Sequence, residues 1–251
     1  MKRTAWNRFA QARDHYRMEI ERLSRTLPDL QRIQQKMIDS RTPSYTVETP
    51  IVYNQALDDV RADSDIRLIL VADNPGRREQ AAENRRYLVG PSGKIAEKFF
   101  RDNPALKIDF RQNVIILNKT PIHTPRTIDL KELRRQGGAV LEAALAESQR
   151  CMAQALLEMH QALNPAESEA LPVWITGYSE MKKGGVFEVY TKELSALYEK
   201  NNLKSSLFLF RHFSMNQFTV DLKRQGIPGE PLTRTLSRIG ASYRDKYIVF
   251  Q

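Results

Sequence analysis

Four short, largely apolar runs constrain the fold of this chain more than any other feature. They lie at residues 66–72 (IRLILVA), 113–117 (NVIIL), 172–176 (PVWIT) and 206–210 (SLFLF). Such runs are typical of strands buried on both faces of a parallel sheet. Helical patterns separate or follow them, at about 92–101, 138–163, 188–200, 216–225 and 231–239. The alternation predicts an α/β fold, a three-layer α/β/α arrangement around a central four-stranded parallel sheet.

The first 40 residues precede this alternation and have an amphipathic helical pattern. Apolar residues from Trp6 to Met37 recur mainly at three- and four-residue steps, and Pro28 is expected to divide the helix in two. A segment rich in Ser, Thr and Pro follows, from Ser40 to Pro50. We therefore expect an N-terminal helical extension, residues 1–45, and an α/β domain, residues 46–251. Core packing, dimerisation and partner binding all remain open as roles for the extension.

The charge balance favours a polyanionic partner. Thirty-nine Lys and Arg residues against 30 Asp and Glu give a net charge of +9, and nucleic acid is the first polyanion to consider. We find no uncharged apolar run near the roughly 18 residues of a membrane span, and no apolar segment of a secretory signal. The lone Cys151 excludes an internal disulfide and a cysteine-built zinc or iron–sulfur site. These features predict a cytoplasmic protein with no membrane partner.

Polar residues stand directly after each apolar run. Asp73 and Asn74 follow the first run, and Asn118 follows the second with His123 nearby. The third run leads into Gly177-Tyr178-Ser179, and the fourth into Arg211 and His212. In open parallel sheets, ligands bind beyond the carboxyl ends of the strands, where these residues would converge. The sequence therefore predicts a site at this edge of the sheet.

The segment after the first run is rich in turn formers and cations. Residues 76–101 hold seven Lys or Arg and three Asp or Glu, and a Gly/Pro/Ser loop opens a helix near Ser92. Backbone N–H groups at such a loop can face an anion. The phosphate-binding motifs of P-loop and dinucleotide-binding proteins are absent from the sequence, which disfavours nucleotide hydrolysis and dinucleotide binding. The excess of cations is consistent with a surface that contacts phosphates of a nucleic acid.

Three segments together resemble the uracil-DNA glycosylase superfamily. Residues 68–100, with ADNPG at 72–76 and LVGPSGK at 88–94, resemble its first motif region. NVIILNKTP at 113–121 is similar to the strand that delivers the base-reading Asn, and RHFS at 211–214 is similar to its His-Pro-Ser motif. The resemblance covers residues 65–225 in family order, without the cysteines of the iron–sulfur branch.

The resemblance implies a role for each matched residue. Asn74, with Asp73 beside it, would position the attacking water, His212 would donate to the departing base, and Asn118 would read the base. The base pocket would include Ala72 in place of Gly, and Leu88 in place of a stacking Phe, with the ring of Tyr87 adjacent. The DNA contacts would be Arg77, Arg78, Ser92, Lys94, Lys119, Ser214 and Phe213, the last as a wedge in the duplex. His123 has no evident partner in the sequence, and we expect it to contact DNA only.

The resemblance predicts a metal-independent DNA glycosylase that needs no cofactor, flips a damaged base and hydrolyses its N-glycosidic bond. Two other functions stay open. The first is a non-catalytic nucleic-acid-binding protein of the same fold, and the second is an enzyme that acts on a free nucleotide. Each site residue, taken by itself, could also have a purely structural role: Asp73 and Asn74 in a turn, Asn118 as a loop cap, and His212 as a packed histidine.

Overall fold

The computed structural model describes residues 3–164 and 170–250. Its centre is one parallel sheet of four strands: β1 (Leu68–Ala72), β2 (Val114–Asn118), β3 (Val173–Thr176) and β4 (Leu207–Phe210). Their order is β2-β1-β3-β4, and Ala72 pairs with Asn118 at the carboxyl end of the sheet. The predicted three-layer α/β/α fold is confirmed.

Eight α-helices surround the sheet in the described part of the chain. They are α1 (Arg3–Thr26), α2 (Leu30–Asp39), α3 (Arg77–Gln80), α4 (Pro91–Asp102), α5 (Asp129–Leu163), α6 (Glu188–Lys200), α7 (Gln217–Gln225) and α8 (Leu232–Tyr247). None of the helices in the described ranges is long and apolar enough to cross a membrane.

Two apolar layers lie on the two faces of the sheet. Ile69 and Val71 of β1 point into a core shared with α1, α5 and α6, whereas Leu68 and Leu70 point into a core of α4, α7 and α8. The alternation follows from the two-residue period of a strand. Because both faces are covered, each strand is apolar up to its carboxyl end, where Asn118 and Thr176 stand, and the sequence therefore shows runs instead of alternation.

Two helices extend beyond the predicted ranges. α5 begins at Asp129, and its first turns bend into the rest at Gly138, whose φ is +61°. Glycine tolerates this left-handed conformation, and the helical pattern was recognisable only after it. α8 continues from the predicted 231–239 region to Tyr247, and its later residues include Tyr243, which packs against both cores.

The N-terminal helices pack into the core of the α/β domain. Phe9, Tyr16 and Leu23 of α1 are buried in the same apolar cluster as Val71, and α1 lies against α5. The Tyr16 hydroxyl is 2.9 Å from that of Tyr87, which donates to the carbonyl of Val52 at 2.6 Å. Among the three roles that the sequence left open for these helices, core packing is the one observed.

Leu23→Ala should therefore destabilise the whole domain. Leu23 is fully buried, and removing such a side chain lowers the free energy of unfolding by about 2–5 kcal/mol. Urea unfolding in a Trp6→Phe background, where Trp174 reports on the sheet, should show one transition shared by fluorescence and circular dichroism. Val140→Ala, at an exposed position, should stay within about 0.5 kcal/mol of its parent. A helical transition separate from that of Trp174 would show that α1 folds independently.

Candidate functional site

A cleft of about 750 Å³ opens at the carboxyl ends of the strands. From β1 the chain passes to β2 on one side, and it then crosses back over β1 to β3 on the other side. The direction of winding therefore reverses between β1 and β3. Open α/β sheets bind ligands at this switch point. The segments that line the cleft follow the strand ends or belong to α8: they include residues 72–79, 88–92, 124–127, 177–179, 211–217 and Tyr247.

Asn74 lines the cleft with its amide orientation fixed. Its Nδ2 donates to Thr124 Oγ1 at 2.9 Å and lies 3.3 Å from the carbonyls of Pro75 and Thr124. The Thr124 hydroxyl donates its own proton to the carbonyl of Arg126, so it must accept from Asn74. The nitrogen therefore faces protein acceptors, and Oδ1, which accepts no hydrogen bond from the described residues, is available to water.

His212 lines the same cleft as a neutral imidazole. Burial lowers its pKa, and the Asp73 carboxylate only partly opposes that effect. Its Nδ1 accepts the backbone N–H of Ser214 at 3.0 Å, so the single proton is on Nε2. Within the described residues nothing else is bonded to this imidazole, and Nε2–H is a free donor.

A buried ion pair lies beneath these two residues. Lys119 is fully buried, and its Nζ is 2.6 Å from Asp73 Oδ1 and 2.5 Å from the carbonyl of Thr176. Thr127 donates to the second oxygen of Asp73 at 2.9 Å. Burial lowers the pKa of Lys119, whereas the Asp73 carboxylate raises it. Gly177 has a φ of +79°, and a Cβ there would lie 2.4 Å from Asp73 Oδ1, so the turn after β3 requires glycine.

Asn118 lies behind the cleft with no hydrogen-bond partner in the described part of the chain. Its side chain is 1% exposed, and both Nδ2 and Oδ1 are unpaired. Asn118 pairs with Ala72, and paired residues of parallel strands point to the same face, so it lies beside a residue that lines the cleft. An unpaired buried polar group costs about 1–3 kcal/mol, which a ligand that paired with the amide would recover.

Glu79 is a residue of the cleft wall to which the sequence analysis gave no role. Its carboxylate accepts the backbone N–H of Gly76 at 3.1 Å and that of Leu88 at 2.9 Å, joining the two loops that face the cleft. Leu88 has a left-handed φ of +53°, and this bond helps to hold it there. Burial raises the pKa of Glu79 to about 7. The signal was present, since Glu three residues after a helix N-cap is typical of a capping box.

The structure corrects three predicted contact residues, because their side chains lie in the interior. The Tyr87 hydroxyl is hydrogen-bonded to the Tyr16 hydroxyl and to the carbonyl of Val52, and Tyr87 does not line the cleft. Its ring is therefore not a surface on which a base can stack. Lys119 is occupied by Asp73. Phe213 stacks on Phe218 with ring centroids 4.4 Å apart, and it is fully buried, so it is not a wedge.

His123 is also interior, which corrects its assignment as a DNA contact. It is fully buried, with Nδ1 2.8 Å from the carbonyl of Pro75 and Nε2 3.0 Å from the Tyr45 hydroxyl. Burial lowers its pKa to about 4. Lys94 is exposed, but it lines a neighbouring pocket together with Val89 and does not line the cleft.

The remaining predicted residues do meet at the cleft. Arg77 and Arg78 are exposed on its rim, and neither is in an ion pair with a described residue. The Arg77 guanidinium lies 4.8 Å from the centre of the Tyr45 ring. The other cleft-lining residues from the predicted set are Ala72, Asp73, Leu88, Ser92 and Ser214. Next to Ser214, Met215 is 80% exposed in a left-handed conformation.

Neither a protein-family model nor a curated protein sequence matches the chain. Across residues 3–164 and 170–250, no group of three His, Cys, Asp or Glu side chains is arranged to hold a metal ion.

Asp73→Asn should lower the free energy of unfolding by about 3–5 kcal/mol, because it leaves Lys119 buried without a counter-charge. Adding Lys119→Met should recover most of that loss, since the double variant has no charge to bury. Urea unfolding of the two single variants and the double variant measures the coupling. Asp65→Asn, which breaks an exposed pair with Arg67, is the matched control and should cost about 0–1 kcal/mol. Additive effects of the two buried substitutions would contradict the pairing.

Glu79 should make stability depend on pH. Its pKa is higher in the folded protein, about 7, than its ordinary value of 4.5. The stability it contributes is therefore fully present below pH 4.5 and lost as the pH rises through 7. Relative to Glu79→Gln, the wild type should lose on the order of 3 kcal/mol over that window. Urea unfolding across a pH series measures the difference, and parallel curves for the two proteins would refute it.

Proposed function

We propose that the protein is a DNA glycosylase that hydrolyses the N-glycosidic bond of a damaged base, uracil or another deaminated base. One observation carries the proposal: a fixed acceptor, Asn74 Oδ1, and a neutral donor, His212 Nε2–H, line one cleft. Glycosidic hydrolysis needs both groups, one to orient water and one to stabilise the base as it leaves. The proposal also agrees with the resemblance of residues 65–225 to the uracil-DNA glycosylase superfamily.

The reaction needs only bond exchange at C1′ of the deoxyribose. Water held by Asn74 Oδ1 forms the new O–C1′ bond, while the C1′–N bond breaks and its electron pair goes to the base. Nε2–H of His212 donates to the base oxygen on which negative charge develops. The proton lost by the water passes to solvent or to the released base, so the sum is a hydrolysis. An amide orients water but accepts no proton, so orientation and electrostatic stabilisation supply the rate.

The unpaired amide of Asn118 supports a base-reading role. An amide can donate to a ring carbonyl and accept from the adjacent ring N–H, which is the edge that uracil presents. The exposed Met215, next to Ser214 at the cleft, replaces Phe213 as the apolar side chain that would fill the space of an extruded base.

The charge of the rim supports DNA as the substrate. Arg77 and Arg78 have no carboxylate partner among the described residues, so they are available to phosphates. Ser92 and Ser214 add hydroxyl groups on the same cleft. The lone Cys151 fits a reducing compartment, and we propose the cytoplasm as the site of action.

A non-catalytic nucleic-acid-binding protein is the second candidate, and the burial of Asn118 favours it. With Asn118 1% exposed, the base pocket is closed in this conformation. A protein that binds the backbone through its cationic rim needs no open pocket. A glycosylase must open one when the base enters.

Formation of abasic sites tests the proposal. Labelled oligonucleotides with uracil, hypoxanthine, xanthine or a G·T mismatch are incubated with the protein, and alkali then cleaves the strand at any abasic site. We expect the wild type to release at least one of these bases. Asn74→Ala should slow the reaction because the water loses its acceptor. His212→Ala should slow it by about 10²–10³-fold, by analogy with the loss of one oxyanion donor. Met215→Ala should slow release from duplex more than from single strands.

Asn201→Ala is the matched control, since this amide at the end of α6 bonds Leu197 and Gln161 far from the cleft-lining segments. It should retain the wild-type rate. Tight binding of every oligonucleotide without abasic sites from any protein would refute the glycosylase and favour the binding protein. Equal rates for the wild type and Asn74→Ala would refute this assignment of the site.

A further inference from the structure

Two cleft arginines are each held by a buried aspartate that a second arginine shares. On one side, Asp129 has a 4% exposed side chain and lies 3.0 Å from Nη2 of Arg126 and 2.7 Å from Nη1 of Arg41. Asp129 also accepts the backbone N–H of Arg126 at 3.0 Å. Burial raises the pKa of Asp129, but hydrogen bonds from Arg41 and Arg126 outweigh it and lower the pKa. The group therefore has two positive charges and one negative charge.

The other side of the cleft repeats this arrangement with different residues. The side chain of Asp221 is also 4% exposed, and its carboxylate lies 2.9 Å from Nη2 of Arg224 and 3.4 Å from Nε of Arg211. The Tyr243 hydroxyl donates to its second oxygen at 2.9 Å. Nε of Arg211 has no hydrogen-bond partner in the part of the chain that the structure describes. This group, too, has an excess of one positive charge.

The two groups hold different segments of the cleft wall. Arg126 lies between Thr124 and Thr127, which bond Asn74 and Asp73 after β1, whereas Arg211 directly follows β4. Asn74, His212 and the turn at Gly177 also line the cleft. Two arginines that are held by separate aspartates on separate segments offer two phosphate contacts to a strand that lies in the cleft.

We propose that Arg126 and Arg211 bind two phosphates of one DNA strand, on either side of the nucleotide at the switch point. Arg126 is hydrogen-bonded to its aspartate, and Arg211 forms an ion pair with its own at 3.4 Å. A guanidinium held in this way beside a buried carboxylate loses less freedom when it binds a phosphate than a free one does. The excess charge of each group supplies the attraction. The inference rests on the proposed function only in taking DNA as the ligand, and it requires no catalysis.

Binding of a fluorescein-labelled oligothymidylate over a series of NaCl concentrations tests these two contacts. Arg126→Ala and Arg211→Ala should each reduce the slope of log K against log[NaCl] by about 0.7, and the double variant by about 1.4. Both variants should fold, because Asp129 keeps Arg41 and Asp221 keeps Arg224 and Tyr243. Arg32→Ala, which removes an exposed arginine with a similar pairing to Asp29, should leave the slope unchanged.

Arg126→Lys and Arg211→Lys should keep the slope but weaken binding, since an ammonium keeps the charge and loses the planar fork. Thymidine monophosphate should compete poorly, because it reaches one arginine only. A folded double variant with the wild-type slope would overturn the proposal, and so would monophosphate competition equal to that of the oligonucleotide. Abasic-site assays of the same proteins on the lesion-containing oligonucleotides separate the two proposals. Altered slopes together with no base release by the wild type would refute the glycosylase and support the phosphate contacts.

Discussion

The buried ion pair between Lys119 and Asp73 holds the site together. A fully buried ammonium is tolerated only with a counter-charge at close range, so the end of β2 and the end of β1 must stay within 2.6 Å at these atoms. The bond from Lys119 to the carbonyl of Thr176 adds the end of β3. Asn74 is the next residue after Asp73, and Gly177 is the next after Thr176. The pair therefore fixes the two turns between which the cleft opens. The free energy spent on desolvating its two charges holds these turns in place.

The layers of the fold were predictable because a strand that is buried on both faces appears in the sequence as a continuous apolar run. A strand covered on both faces is apolar except at its carboxyl end, so its apolar run marks its position and favours parallel pairing. The helices were predicted for the same reason, from a spacing that packing imposes. Gly138 shows the limit: the helix is kinked at this residue, and the helical pattern was recognised only after it, although the turns before it include Asp129 beside the cleft.

The location of the site was predictable from the sequence, but the side chains that line it were only partly predictable. Topology brings the residues after each strand to one edge, but the loop conformation decides which side chains turn inward. Leu88 at a left-handed φ lines the cleft while Tyr87, one residue earlier, is turned to Tyr16 in α1. Partnerships such as that of Arg41 with Asp129 join residues far apart in the chain. Neither kind of information is present in a local pattern, so Tyr87 and Phe213 were misassigned and the paired arginines were missed.

The distribution of charge across the cleft determines how a ligand must lie in it. The centre is effectively uncharged: His212 is a neutral imidazole, Asn74 is an amide, and Lys119 and Asp73 compensate each other. The positive excess lies in the two groups built on Asp129 and Asp221, with Arg126 and Arg211 on the cleft wall. A phosphate is attracted to these arginines and gains little at the centre, where an uncharged ring avoids the cost of displacing an anion's water. Under the proposed function, this distribution of charge would orient a nucleotide strand with its backbone along the arginines and a base at the switch point.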